Sequence, residues 1–271
     1  MLKFTVLTDN KARKRGIVAE HGLSLFIEYK GNRILFDTGQ SDVYLRNAAA
    51  LRLDLNDTDY AVISHGHYDH GGGLFYLPEL AKKPPVYIQK TAFKKKYALN
   101  PDKTSYREVG ISRSVIKHNL ALISGNMKIN GEISLLSNIP FTVAFEGQPE
   151  GFYFKNENKM FPDMMNDEQI LVYDTERGLA VFSGCSHPGI INCLHDVVKH
   201  YPNKKIYAVV AGMHLEKASP QKRYQTIQNL IALGIEKVYP LHCTGISAIV
   251  EMKKALAEKC EILYAGDSIE I

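Results

Sequence analysis

The segment AVISHGHYDHGGGLFYLPEL, residues 61–80, constrains this chain more than any other. It places His65, His67, Asp69 and His70 within six consecutive positions at the end of an apolar run. In extended backbone, side chains two residues apart leave the same face, so His65 and His67 are set to grip one cation. Asp69 and His70, at the turn into a helix, point elsewhere and are set to hold a second. Gly66 and the Gly71–Gly73 run let the backbone bend and keep bulk away from the ions. Neutral imidazoles with a hard carboxylate suit Zn²⁺, with Fe²⁺ or Mn²⁺ as other occupants. Two such ions, about 3.5–4 Å apart, can share and acidify a water and polarise a phosphoryl or carbonyl oxygen. A purely structural zinc site is the competing reading, but those favour closed, cysteine-rich tetrahedra.

The flanking patterns place this cluster in an α/β chain. FTVLTD (4–9), LSLFIEY (23–29) and RILFDTG (33–39) read as strands, with a hairpin turn at Lys30-Gly31-Asn32. A short helix follows in SDVYLRNAAALR, then the AVIS strand, a helix over LFYLPELAKK interrupted by Pro78, and the VYIQ strand (86–89). Residues 90–165 show no dominant period, only short strand candidates (ALIS, ISLLS, FTVAF), and read as an elaborated insertion in a single 1–271 domain. The remainder alternates: strands QILVYDT and GLAVFSGC, helix INCLHDVVKHY, strand IYAVVAG, helix YQTIQNLIALG, strand KVYPL, helix SAIVEMKKALAEK, strand EILYAG.

Composition narrows the function classes. With 271 residues, 45% of them hydrophobic, the chain can bury a large core. A net charge of +4 favours anionic small molecules and argues only feebly for nucleic acid. The N-terminus turns polar too soon for a signal peptide, and no stretch is apolar enough to span a bilayer, so a cytoplasmic location is expected. Cys185, Cys193, Cys243 and Cys260 lack CxxC spacing and read as free thiols.

Polar residues punctuate the strand ends. Asp37 closes one strand and His65 the next; Cys185 and His187 follow FSG, His214 follows AVVAGM, and His242 follows VYPL. The carboxyl ends of strands form the ligand crevice of open α/β sheets, so these termini are expected to converge. His118, His195 and His200 sit in polar or helical contexts and read as surface residues. His21 precedes the first long hairpin and carries somewhat more interest.

SHGHYDH resembles the HxHxDH signature of the metallo-β-lactamase fold superfamily. Within it, HGLSLFIE, ILFDTGQSD, SHGHYDHGGG, SGCSHPGI, AGMHL and PLHCTG resemble the dihydropterin–ribofuranosylaminobenzene-phosphate-synthase-like subfamily. The resemblance implies a four-layer αββα sandwich with a dinuclear metal site along one edge. His65 and His67 would bind the first ion, Asp69, His70 and His242 the second, with Asp37 orienting ligands from behind. It also implies roles for Asp69 in catalysis, for His214 in protonating a leaving group and holding phosphate, and for Thr244 in contacting substrate.

One departure stands out. The family's third motif is usually a histidine some two dozen residues before a strand that ends Gly-Asp, whose aspartate bridges the metals. Here that strand ends Gly184-Cys185, and NDEQ (166–169) stands where the histidine would be. His187 is the candidate replacement ligand, and Cys185 a candidate bridge, the alternative being water alone.

The expected function is a metal-dependent hydrolase acting on a phosphate-containing small molecule, with metal-bound hydroxide as nucleophile. The subfamily name implies a transferase instead, joining a dihydropterin pyrophosphate to a ribosylated aminobenzoate phosphate. A non-catalytic metal-dependent binding protein is the third reading. A diiron redox protein fits least, since redox members carry Glu at the position of His67 and an attached flavin domain. Lys94, Lys95, Lys96, Arg107 and Arg113 are candidate phosphate contacts, or simply a solvated basic face.

Overall fold

A computed structural model describes residues 1–112 and 119–271, so Arg113 and His118 lie outside the described residues. The chain divides into two compact units, one of residues 1–124, 149–167 and 264–271, the other of residues 125–148 and 168–263.

The first unit opens with β1 (Lys3–Thr8), β2 (Ser24–Tyr29) and β3 (Asn32–Phe36). The β2–β3 turn is the two residues Lys30 and Gly31, at φ +47° and +80°. Positive φ at both positions matches the right-handed strand twist, which is why a glycine stands there. Helix α1 (Val43–Ala50) leads to β4 (Tyr60–Val62), and the four-residue α2 (Tyr68–Gly71) carries Asp69 and His70. The continuation over Gly72–Glu79 is 3₁₀ rather than α-helical. Its glycines admit a neighbouring loop: a Cβ on Gly73 would fall 2.2 Å from the Thr38 carbonyl oxygen. Then come β5 (Val86–Gln89), β6 (Lys95–Leu99), β7 (Tyr106–Glu108) and β8 (Leu120–Ile123).

Strands β1 to β5 and β8 join the C-terminal β17 (Ser268–Glu270) in a seven-stranded sheet, order β17-β1-β2-β3-β4-β5-β8, with β3, β4, β5 and β8 parallel. Leu35, Ala61, Ile63, Val86 and Ile88 share one core with Tyr44 and Ala48 of α1. Each fully buried Val, Leu or Ile contributes about 1.5–3 kcal/mol to that packing. A separate antiparallel sheet of β6 and β7 with β11 (Phe152–Asn156) and β12 (Lys159–Pro162) has the order β12-β11-β6-β7.

The second unit is a six-stranded sheet, order β16-β15-β14-β13-β10-β9. It comprises β9 (Met127–Lys128), β10 (Ile133–Ser137), β13 (Gln169–Thr175), β14 (Gly178–Ser183), β15 (Ile206–Gly212) and β16 (Lys237–Leu241). Helices α3 (Ile190–His200) and α4 (Pro220–Ala232) supply the crossovers between β14, β15 and β16, and α5 (Ile246–Leu256) follows β16. Ile190, Ile191, Leu194 and Val197 of α3 bury against Leu179, Val181 and Val209 of β14 and β15.

The strands within residues 90–165 are therefore shared out: β8 completes the first large sheet, β9 and β10 the edge of the second, and β6, β7, β11 and β12 form the four-stranded sheet. Two expected strands are absent. FTVAF (141–145) is a loop, because the Asn192 side chain takes the Thr142 and Val143 N–H groups that a strand would use (2.8 and 2.9 Å). EILYAG (261–266) makes one isolated bridge, Ala265 to Ala12, while Cys260 just before it bridges Val238. Among the described residues, no helix is long and apolar enough to cross a membrane.

Candidate functional site

In the first unit, Asp37 follows β3 and Ser64 and His65 follow the parallel neighbour β4, so their side chains start side by side. Asp37 is fully buried and adopts φ +56°, a left-handed conformation rare for a residue with a side chain. Its carboxylate is satisfied three times. Oδ1 accepts the Ser64 N–H (2.7 Å), and Oδ2 accepts the Ser64 hydroxyl (2.8 Å) and His70 Nδ1 (2.7 Å).

These bonds fix the imidazole tautomers. A carboxylate only accepts, so His70 Nδ1 carries the proton and Nε2 keeps the lone pair. Ser64 has one proton and gives it to Asp37. His65 Nδ1, 2.9 Å from the Ser64 oxygen, must therefore donate, which leaves His65 Nε2 as the lone pair.

His65 Nε2 lies 3.0 Å from His67 Nδ1. That is a hydrogen-bond distance, and also a spacing that two nitrogens of one ion's ligand set could adopt. His67 is buried, and burial together with the Lys96 charge pushes its pKa down to about 3, so it is neutral at any pH of interest. Asp69 Oδ2 lies 3.9 Å from His70 Nε2 and 3.2 Å from His21 Nε2. Imidazole lone pairs and a carboxylate oxygen thus face one another, a nitrogen–oxygen donor set that can hold a divalent metal ion.

In the second unit, β14, β15 and β16 are parallel neighbours, and the residues that follow them stand in a row: Cys185 to His187, His214, and His242 to Thr244. Ser186, His214 and His242 all adopt positive φ, at +53°, +49° and +48°. Such conformations persist only where surrounding contacts impose them. Here Glu168, immediately before β13, accepts the N–H groups of Ser186 (2.5 Å) and His187 (2.7 Å) and pins that turn.

Cys185, His214 and Cys243 offer ligand atoms within 4.8 Å of one another, a softer donor set. Desolvation pushes the Cys243 thiol up, but its contact with Cys185 and the nearby His242 and His214 outweigh that and hold it well below the ordinary cysteine range. His214 behaves conversely. Desolvation opposes its protonation, yet its hydrogen bond to Cys243, the Cys243 charge and Glu168 together raise its pKa. The His187 and His214 rings lie 4.6 Å apart. Thr244 is fully buried, its hydroxyl accepting the Met213 N–H (3.1 Å) and donating to the Ala211 carbonyl (3.3 Å). It ties the end of β15 to the turn after β16.

Of the basic residues expected to face phosphate, Lys96 is withdrawn from that role: it is buried between Asp163 (2.6 Å) and Asp167 (2.7 Å). Lys94 lies over the Phe154 ring (4.3 Å), while Arg107 is exposed. His200 is paired with Asn126 at the surface, and Cys193 and Cys260 are core thiols.

Sequence reasoning missed Ser64, Asp167 and Glu168, and gave Cys243 and His21 little weight. The signal for two of them was present: NDEQ puts adjacent carboxylates before a strand where the motif lacks its histidine.

The family model of the metallo-beta-lactamase superfamily matches residues 18–140. The chain is similar to 7,8-dihydropterin-6-methyl-4-(beta-D-ribofuranosyl)-aminobenzene-5'-phosphate synthase of Methanocaldococcus jannaschii, with 32% identity covering 98% of this chain and 95% of the relative. It is also similar to the crystal structure of Tm1679, a metal-dependent hydrolase of the beta-lactamase superfamily, at TM-score 0.87 and 34% identity, covering 100% and 99% of the two chains. The metallo-beta-lactamase fold protein YhfI of Bacillus subtilis matches at TM-score 0.57 and 12% identity over 100% of both chains, a likeness of fold alone.

Proposed function

The chain belongs to the metallo-β-lactamase superfamily and has its fold, and from that premise we propose that it is a metal-dependent enzyme acting on a phosphate-containing small molecule. The observation that carries the reading is the Ser64–Asp37 pair, which turns a lone pair of both His65 and His70 toward a ligand. By the family's pattern His65 and His67 would bind one divalent ion and Asp69 and His70 another, His187 and His242 being the further ligands proposed from the sequence, and zinc would suit such donors. Bound there, such ions supply Lewis acidity, acidify water and neutralise phosphate charge.

The chain's own groups move the protons. Asp69 accepts a proton from the attacking nucleophile. His214, whose pKa is raised, against the opposing effect of desolvation, by Cys243 and Glu168, gives one to the leaving oxygen. Cys185 stands where the family places a bridging carboxylate and biases the site toward softer ions. Arg107, exposed near Tyr68, is a candidate contact for an anionic substrate.

Water as acceptor makes the reaction a hydrolysis; the arylamine nitrogen as acceptor, displacing pyrophosphate from the pterin methylene carbon, makes it the synthesis for which the methanogen relative is named. The transfer reading is favoured by similarity along the whole of that synthase. Metal-loaded protein offered a dihydropterin pyrophosphate and a ribosylated aminobenzene phosphate is expected to release pyrophosphate and form the joined product. Release of phosphate or pyrophosphate without the joined product assigns hydrolysis. No turnover of these or of a phosphoester panel, with metal bound, would leave a binding protein.

A further inference from the structure

Gly66 sits between His65 and His67, and both of its backbone groups are engaged. Its carbonyl accepts the Ile111 N–H (3.2 Å), and its N–H donates to Asp167 Oδ2 (2.7 Å). A side chain cannot intrude, since a Cβ on Gly66 would lie 2.0 Å from the Ala92 carbonyl oxygen. The spacing of the two imidazoles therefore depends on where Asp167 holds the peptide between them.

Asp167 is itself held. Its Oδ1 accepts Lys96 Nζ (2.7 Å), and Lys96 also donates to Asp163 Oδ2 (2.6 Å), with side-chain exposures of 1%, 8% and 2% for Lys96, Asp163 and Asp167. Lys96 lies on β6, whose neighbour β11 supplies Phe152, and that ring stacks on His67 at 5.2 Å. Buried ion pairs seldom stabilise a fold better than apolar residues of the same volume would, whereas they fix geometry by satisfying every donor and acceptor in one arrangement. Here the arrangement ends on the peptide that joins two metal-ligand candidates.

We propose that Asp167, anchored by Lys96, is a positioning residue that sets the His65–His67 pair for metal binding before any ion arrives. It rests on the reading that these two histidines hold a metal. A carboxylate has two acceptor oxygens, one for Gly66 and one for Lys96; an amide has one. Asp167→Asn must therefore give up one of the two bonds. Asp163→Asn likewise removes one acceptor oxygen, from a carboxylate that serves both Lys96 and the Met165 N–H, and a buried charge beside Lys96, but leaves Gly66 untouched, and so reports the purely structural cost.

The test is Co²⁺ titration of the two variants and wild type under chelator competition, with the Co²⁺ absorption spectrum and the melting of metal-free protein recorded alongside. Asp167→Asn is expected to weaken Co²⁺ binding about 10–100-fold, the usual cost of disturbing a ligand's support, and to change the spectrum. Asp163→Asn should stay within about 3-fold of wild type even where its melting falls as far. Binding by Asp167→Asn equal to wild type, or equal losses in both variants, overturns the proposal. Should Asp167→Asn not fold, the Gly66 amide of metal-free wild type decides: protection from exchange is expected, and free exchange until Co²⁺ is added overturns it. A wild type that binds no Co²⁺ removes the metal reading itself, a different failure.

Discussion

Asp37 accepts a 2.7 Å hydrogen bond from the His70 Nδ1–H, with both side chains fully buried. The same carboxylate oxygen accepts from Ser64, which in turn orients His65, so one acid governs two imidazoles. Asp37→Asn presents an NH₂ group where an acceptor is needed and is expected to favour the wrong His70 tautomer. Metal affinity should fall about 10–100-fold, measured by chelator competition, with the fold retained. Unchanged affinity would show that His70 is not held for a ligand.

His67 gives a pH prediction for the metal-free protein. Its pKa is depressed to about 3 in the folded state, against about 6.5 for a free histidine. Between those values the unfolded chain binds the proton and the folded chain does not, so stability falls as pH drops from about 6.5 toward 3. Urea midpoints across that range check the slope, and His67→Gln should flatten it. A His67 resonance that titrates near 6.5 would contradict the account.

His187 and Cys185 separate by chemistry. His187→Ala is expected to lower metal content at the first site, whereas Cys185→Ser, a softer-to-harder exchange, should shift the preferred metal more than the amount bound. Elemental analysis of both variants after equal loading decides. Equal metal in wild type and His187→Ala would assign the missing third ligand elsewhere.

His214 is expected to act as an acid. His214→Ala should keep its metal and fold while turnover drops about 10²–10⁴-fold, the contribution of a positioned proton donor. Because its pKa is raised, the protonated form persists above the ordinary histidine value, and activity should fall as pH rises through that raised pKa. The variant's profile should lose this descending limb. A limb that persists would assign it to another group.

The strands that carry the site were legible because their apolar runs are unbroken: QILVYDT, IYAVVAG and KVYPL form strands with the expected bounds. The approach of His65 to His67 was legible because side chains two residues apart in extended backbone leave the same face. FTVAF misled because composition says nothing about Asn192, distant in sequence, which claims its backbone donors. Lys96 misled for the same reason: a lysine in a basic run reads as solvated until Asp163 and Asp167, some seventy positions on, close around it. Asp167 and Glu168 bond to backbone N–H groups, which leave no residue-type signature in their partners Gly66, Ser186 and His187.

The most direct test of the whole account is metal stoichiometry. Protein purified anaerobically, stripped with chelator and reloaded with Zn²⁺, should bind close to two ions per chain, and His67→Ala should lose one of them along with more than about 100-fold of the turnover, since even supporting residues cost about 10–100-fold. A wild-type chain that takes up no zinc, iron or manganese with measurable affinity would contradict the metal centre and the function built on it.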